Sequence, residues 1–411
     1  MAEEWKPVKL DQLGFVGRGK SRHRPRDAAV LYDGPYPFFQ TGDIKAANFH
    51  LTEYSQTYSA AGLAQSKLWK PGTLCITIAA NIAETAILGV EGCFPDSVVG
   101  FIADPEKSDV RFIKYYIDTI KLQMQSVSKG TTQDNLSLDK LLTFDFSVPA
   151  LPLQHRIADI LSAYDELIEN SQRRIRILET MARALYREWF VHFRFPGHET
   201  HPRVPSPLGD IPQGWEWREL NELGFLGRGK SRHRPRNEAS LYGGPYPFFQ
   251  TGDIKEARIF LRNHTQTYSE AGLAQSKLWQ PGTLCITIAA NIGETAILAK
   301  TGCIPDSVVG FVPDLEKSDA FYVKMYLDSI KQQMQNVSRG TTQDNLSVEK
   351  LLGFRVLTPP PPIISAFREI VSPMLEMLNV LLKKEENLRR TRDLLLPRLL
   401  SGQVELKTKT A

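Results

Sequence analysis

The chain repeats itself without a gap at an offset of 210 positions, as from Gly14 to Gly224. Any fold must accommodate two copies of one unit, because a gapless duplication keeps every hydrophobic period and every turn in phase. Trp5 aligns with Trp215, Gln133 with Gln343 and Phe144 with Phe354. Whole blocks are identical: GRGKSRHRPR from Gly17 and Gly227, GPYPFFQTGDIK from Gly34 and Gly244, PGTLCITIAANI from Pro71 and Pro281, PDSVVGF from Pro95 and Pro305, and GTTQDNLS from Gly130 and Gly340.

Behind each globular copy comes a segment that keeps register but little identity. In the first, Ile157, Leu161, Tyr164, Ile168, Ser171, Ile175, Leu178, Ala182, Leu185 and Trp189 step alternately by four and three. The second repeats the steps at Phe367, Val371, Met374, Leu378, Leu381, Glu385, Leu388, Arg392, Leu395 and Leu399. This is the period of a coiled-coil seam. A helix of roughly 36 residues is about 54 Å long, suited to holding two bodies apart. The simplest partner of the first helix is the second, in the same chain.

The expected fold is therefore α+β: two globular α/β domains separated by two long antiparallel coiled-coil helices, with pseudo-two-fold symmetry. The divisions fall at a globular domain over 1–150, a long helix over 151–192, a linker over 193–214, a second domain over 215–360 and a second long helix over 361–405. Inside the first domain the pattern predicts strands over Thr73–Ile78 and Val98–Ile102 and an amphipathic helix over Arg111–Val127. Pro149 and Pro152, and the run Pro359–Pro362, precede the long helices, where proline suits helix entry. Pro373 and Pro397 lie inside the second helical pattern, so a kink or break is expected at each.

At 411 residues with 42% hydrophobic content the chain can bury two or more cores. No apolar run reaches membrane-spanning length, and MAEEWKPVKL lacks the features of a signal peptide, so a cytoplasmic protein with no membrane partner is expected. Cys75, Cys93, Cys285 and Cys303 form no CxxC and read as buried free thiols. No metal site is expected: His198 and His201, in the linker, have no further ligands beside them.

Gly14–Ser21, GFVGRGKS, matches the P-loop pattern GxxxxGK[ST], as does GFLGRGKS from Gly224. A nucleotide-binding P-loop needs a buried strand before it and a helix after it. Here KLDQL precedes, while RHRPRD and RHRPRN follow. The same stretch is better read by its charge. Arg18, Lys20, Arg22, His23, Arg24 and Arg26 include five formal positive charges without an acid, and Arg228, Lys230, Arg232, His233, Arg234 and Arg236 repeat them. Those charges exceed the net +4 of the whole chain, so the remainder is slightly acidic. Two identical basic blocks on flexible glycine-containing stretches point to a repeated polyanion, nucleic acid above all.

Two further blocks carry groups able to read base edges. One is Gln40, Thr41, Asp43 and Lys45, with Gln250, Thr251, Asp253 and Lys255. The other is Thr131, Thr132, Gln133 and Asn135, with Thr341, Thr342, Gln343 and Asn345. Gln and Asn suit adenine and Asp suits cytosine. The competing reading makes TGD an Asx turn and GTTQDN a helix-capping turn. No GxSxG elbow and no strand-borne GxGxxG occur, and Pro95-Asp96 with Glu106-Lys107 has the composition of a PD-(D/E)xK nuclease but not its spacing. The chain reads as a binder without catalytic residues. The alternatives are a P-loop enzyme, a nuclease, or a coiled-coil assembly protein.

The order domain, helix, domain, helix, together with YPFFQTGDI, GTTQDNLS, IPQGWEWREL, QHRIADILSAYDELIENSQRRIRILETMARALYREWF and RTRDLLLPRLLSG, resembles the DNA specificity subunit of Type I restriction-modification systems. The resemblance implies that the globular units are target recognition domains, each reading half of a split site, and that the helices dock two DNA methyltransferase subunits. It also implies that restriction and motor subunits join for cleavage. S-adenosylmethionine, ATP and magnesium are then expected on those partners and no cofactor on this chain. Relatives commonly carry two unlike recognition domains; here they are near duplicates. The expected target is an inverted repeat, with half-site centres within roughly 16 base pairs and equivalent adenines methylated on the two strands.

Overall fold

Three strands covered on both faces build the core of each globular domain. The computed structural model describes residues 5–404 and 406, apart from 23–24, 48, 129–134, 207–208, 233–234, 236 and 339–344. In the first domain the elements are β1 (Lys6–Val8), α1 (Leu10–Leu13), β2 (Gly14–Arg18), β3 (Tyr32–Phe38), α2 (Thr41–Ala46), β4 (His50–Leu51), β5 (Gln56–Tyr58), α3 (Ala60–Ala64), β6 (Leu68–Trp69), β7 (Leu74–Thr77), β8 (Thr85–Leu88), β9 (Gly92–Cys93), β10 (Val98–Ala103), α4 (Val110–Ser128), α5 (Leu138–Thr143) and β11 (Phe146–Val148). β7 and β10 carry the predicted apolar segments, and α4 is the predicted amphipathic helix.

These strands form a five-stranded sheet in the order β2-β10-β7-β8-β4 and a four-stranded sheet in the order β5-β3-β9-β6; β1 pairs with β11. Leu74, Ile76, Ile87, Val99 and Phe101 face α4 through Phe112, Ile113 and Met124, whereas Cys75, Ala86, Leu88 and Val98 face Phe39, Ile44, Trp69 and Phe94. Because both faces are covered, TLCITI reads as a continuous apolar run rather than an alternating one. The second domain repeats both sheet orders strand for strand. All four cysteines are buried and free, and burial pushes the Cys75 and Cys285 thiols far up.

The first long helix, α6, spans Leu151–Tyr186 and ends in a wide turn, Arg187–Val191; the second spans Pro361–Leu400. The chain divides into two compact units, Met1–Arg173 with Lys383–Ala411, and Arg174–Leu382. Each holds one globular domain and a stretch of both long helices. In the first unit the helices lie antiparallel, with Asp165 paired to Arg392, Gln172 Nε2 donating to Glu385 Oε1 at 2.7 Å, and Ile157 and Leu161 sharing a core with Leu399 and Leu400. In the second, Ala182 and Trp189 share a core with Phe367, Val371 and Leu378. Of the remaining seam positions Ile168, Ile175 and Leu381 are buried, whereas Tyr164, Leu178, Leu185, Met374, Leu388 and Leu395 are half-buried.

Two expectations are corrected. The helix Pro361–Leu400 is unbroken at Pro373 and Pro397. Each proline removes a helical N–H, but both lie on the exposed side, as do Glu369 and Asp393 four residues earlier, whose carbonyls water can satisfy. The segment read as a linker is packed: Phe195 belongs to the core of the second unit, and Arg203–Val204 pairs with Ile211–Pro212.

One duplicated carboxylate shows how the copies diverge in energy. Asp109 receives Arg111 at 2.7 Å and His155 at 2.8 Å, whereas its counterpart Asp319 receives, among the described residues, the backbone N–H groups of Phe321 and Tyr322 and no guanidinium hydrogen bond, Arg368 acting on it through charge alone. Burial raises the Asp109 pKa, but the hydrogen bonds from Arg111 and His155 outweigh it and hold the carboxyl below its usual range; burial lifts Asp319 above it. A depressed pKa gives stability present above the unfolded value of about 4 and lost as pH falls; a raised pKa gives stability present below that value and lost as pH rises. Asp109→Asn is therefore expected to destabilise the first unit by about 1–2 kcal/mol at pH 7, the deficit shrinking towards pH 3. Asp319→Asn should leave the pH 7 stability unchanged or higher. Denaturant titrations of both variants across that pH range check the contrast.

Candidate functional site

The stretch that matches a P-loop is a strand. Gly14–Arg18 is the edge strand β2 of the five-stranded sheet, and among the described residues the next regular structure is a single 3₁₀ turn at Ala29–Leu31, with no helix N-terminus behind the glycines. Gly19 is there for packing. Its N–H donates to Val98 O at 2.8 Å, and a Cβ at this position would stand 2.2 Å from Pro95 O.

The basic block is laid along the segment Cys93–Ser97. Lys20 N–H donates to Phe94 O at 3.1 Å, Arg18 Nε donates to the carbonyl of Asp96, and Arg26 Nη2 contacts both carboxylate oxygens of Asp96 at 3.1 and 3.0 Å. From the other side, Ser66 Oγ donates to Lys20 O at 2.8 Å and Gln65 Oε1 accepts from Arg22 N–H. The same five residues also hold Phe39, whose N–H meets Cys93 O at 2.8 Å, and Ile78, whose N–H meets Ser97 O at 2.9 Å. One short segment therefore gathers the arginine block, the FFQTGD turn and the loop after β7. The second copy repeats it: Lys230 N–H meets Ile304 O, Phe249 N–H meets Cys303 O, Ile288 N–H meets Ser307 O and Arg228 reaches the carbonyl of Asp306. The anchors consume backbone and the guanidiniums of Arg18 and Arg26, while the side chains of Lys20, Arg22, Lys230 and Arg232 stand exposed.

Gln40 precedes α2, and Asp43 sits three residues on. Asp43 Oδ2 accepts Gln40 N–H at 2.7 Å and the Ser55 hydroxyl at 3.3 Å. Asp253 likewise accepts Gln250 N–H at 2.8 Å and Thr265 N–H at 3.1 Å. Both carboxylates cap a helix start, where the competing reading had made TGD an Asx turn. Gln40 is turned onto Gln56, donating Nε2 to Oε1 at 2.6 Å, as Gln250 is onto Gln266 at 2.5 Å. Thr41 and Thr251 are half-buried, and Lys255 is exposed like Lys45.

Lys45 Nζ donates to Asn81 Oδ1 at 3.3 Å, and Ala79 bridges Asn135, so the turn of α2, the loop 79–84 and the strand-like start of the NLS segment come together. Ala289 bridges Asn345 in the second copy. In the loop, Ala80 and Ala83 hold φ of 62° and 61°, a region that costs an L-residue about 1 kcal/mol or more. Clamping by Thr77, whose hydroxyl accepts Glu84 N–H at 2.9 Å, holds it there. His23, Arg24, Thr131, Thr132, Gln133, His233, Arg234, Arg236, Thr341, Thr342 and Gln343 lie outside the described residues.

Three contributors escaped the sequence reading. Asp96, set aside with a failed nuclease pattern, and its counterpart Asp306 position the arginine block. Gln56 and Gln266 partner the predicted glutamines. Lys67 stands 3.6 Å over Trp69 and 4.8 Å over the exposed Phe15, as Lys277 does over Trp279 and Phe225 at 4.2 and 5.1 Å. Burial, and then the nearby Lys20, pulls the Lys67 pKa down. Only pairing across the fold identifies these groups; the sequence signal is that PDSVVGF, QTYS and SKLW are each identical in both copies.

Among the described residues no cluster of three or more His, Cys, Asp or Glu could hold a metal ion. His198 and His201 engage the backbone carbonyls of Phe195 and Gln213 at 2.9 Å each. No helix among the described residues is long and apolar enough to cross a membrane.

Comparison with known proteins bears on what these paired surfaces serve. A family model described as the Type I restriction modification DNA specificity domain matches residues 2–180 and again 212–387. The chain is 24% identical to the Type I restriction enzyme HindI specificity subunit of Haemophilus influenzae, covering 98% of this chain and 100% of that one. It is 23% identical to the MjaIX specificity subunit of Methanocaldococcus jannaschii, covering 98% and 94%. Its fold is similar to a crystal structure of the Type I restriction-modification system S subunit from M. genitalium, with a TM-score of 0.69 at 16% identity over 97% and 96% of the two chains.

Proposed function

The chain belongs to the Type I restriction-modification DNA specificity family, and from that premise we propose that it reads an inverted-repeat, bipartite DNA site with two equivalent surfaces. It is itself non-catalytic. On this reading it directs two adenine methyltransferase subunits, and restriction and motor subunits with them, to that site in the cytoplasm. S-adenosylmethionine, ATP and magnesium belong to those subunits.

The observation that carries the proposal is where the two copies differ. Between the identical blocks GPYPFFQTGDIK and QTYS, eight of the ten positions 46–55 change, among them Asn48 to Arg258, His50 to Phe260 and Thr52 to Arg262. This segment is a seat on the long helices. In the first unit Glu169 accepts Phe49 N–H at 3.1 Å and His50 N–H at 2.9 Å. In the second, Arg258 pairs with Glu179 at 3.2 Å and Arg262 donates to Asn379 at 2.7 Å. The substitutions at Arg258 and Arg262 follow the helix residues they touch, while the arginine blocks stay identical and the segment that anchors them changes only from Phe94 to Ile304. Equal reading surfaces select equal half-sites, and antiparallel helices are what a two-fold relation between the repeats requires. Exposed apolar residues along the helices, Leu167 with its counterpart Met377, and Val380, support docking of protein partners there.

Sequencing methylated adenines in cells carrying the complex is expected to return one motif whose halves are reverse complements. Two unrelated halves would overturn the proposal.

A further inference from the structure

We infer that Gln56 and Gln266 are base-reading residues, each presenting amide N–H donors to a guanine edge in its half-site. The inference rests on the DNA-reading role proposed above and goes beyond it by naming the residue and the edge. Gln56 opens the edge strand β5, opposite Phe38, and is exposed, whereas Gln40 is half-buried beneath it. The Gln40–Gln56 hydrogen bond occupies Gln56 Oε1 and fixes the plane of its carboxamide. The described residues offer the Gln56 Nε2 group no partner, so its N–H groups face outwards. They line a shallow cavity of about 210 Å³ walled by Tyr32, Asp33, Tyr54, Ser55 and Thr57.

The cavity borders the arginine block, because the Tyr32 hydroxyl donates to Arg26 O at 2.6 Å. A side chain at its rim therefore lies beside the groups suited to phosphate. Of the lining residues, Asp33, Tyr54 and Ser55 become Gly243, His264 and Thr265 in the second copy, while Gln56 remains Gln266 with the same bond to Gln250 at 2.5 Å. What both copies share is the outward-facing amide. A group that only donates matches guanine, whose major-groove edge carries the acceptors N7 and O6 and no donor. Gln40 and Gln250 act as positioning residues.

The test is methylated-adenine sequencing in cells carrying the full complex with Gln56→Glu, Gln266→Glu, both, or Gln56→Met, which keeps the length of the side chain but not its amide. Glutamate replaces donors with acceptors. At one position of one half-site, Gln56→Glu is expected to lower the preference for guanine by roughly ten-fold or more and to favour cytosine, whose N4 donates. Gln266→Glu should do the same in the other half only, and the double variant in both. Gln56→Met should relax the position without favouring cytosine. An unchanged motif, or uniform loss of methylation with every base preference intact, would overturn the inference. A wild-type complex with no bipartite motif would instead strike the underlying reading, which keeps the two failures apart.

Discussion

Arg392→Ala is expected to destabilise the first unit by about 3–5 kcal/mol, because it strands Asp165, which is 1% exposed, against the Tyr115 hydroxyl alone. Breaking a buried ion pair from one side leaves a desolvated charge, and that cost exceeds what the pair contributed. The duplicated architecture supplies its own control. The positions corresponding to Tyr115, Asp165 and Arg392 are Met325, Leu375 and Ala182, all packed in the apolar core of the second unit. Transplanting that trio, as Tyr115→Met with Asp165→Leu and Arg392→Ala, should restore stability to within about 1 kcal/mol of the parent or better. Urea titrations of the single and triple variants test this; a triple variant as unstable as Arg392→Ala would show that the polar trio stabilises the unit outright. Gln172 with Glu385 against Leu382 with Ile175 follows the same rule, so the first unit seals its helix pairing with polar groups where the second uses hydrocarbon.

Removing four exposed cations, Lys20, Arg22, Lys230 and Arg232, to alanine is expected to lower DNA affinity roughly a thousand-fold at 0.1 M salt. Each phosphate contact contributes about 0.9 to the slope of log affinity against log salt, so the slope should flatten by about 3.6. The loss should be the same for the preferred site and for any other duplex, since charge positions the protein without reading bases. Binding titrations across a salt series on both duplexes check it. A loss confined to the preferred site would mean that these side chains read bases rather than phosphate.

Much of the fold was legible because it is written in periods. The 210-residue offset and the four-three steps of the seam depend on spacing alone, and a buried strand such as TLCITI announces itself by being apolar at every position. The site was legible in part. Positive charge at Arg18–Arg26 is a property of composition, so the block could be named. A local, backbone-bound role for Asp43 was readable as an Asx turn, but the helix start it caps, through Gln40, was not. Asp96 could not be assigned at all, because its partners, Arg18 and Arg26, lie some seventy residues away in the chain. The prolines at 373 and 397 misled for a related reason: the local rule counts the lost N–H, but solvent exposure decides whether the freed carbonyl matters.

By itself the sequence determined that there are two equal domains, that each is followed by a long helix, and that the charge is concentrated twice. The tertiary structure decided which residues hold the arginine blocks, which of the differences between copies seat a domain on its helix, and why Asp109 and Asp319 titrate in opposite directions. The division is physical. Periodicity and composition act along the chain and survive in its order, whereas hydrogen bonding, desolvation and charge pairing act through space between residues whose separation in the chain carries no trace of the contact.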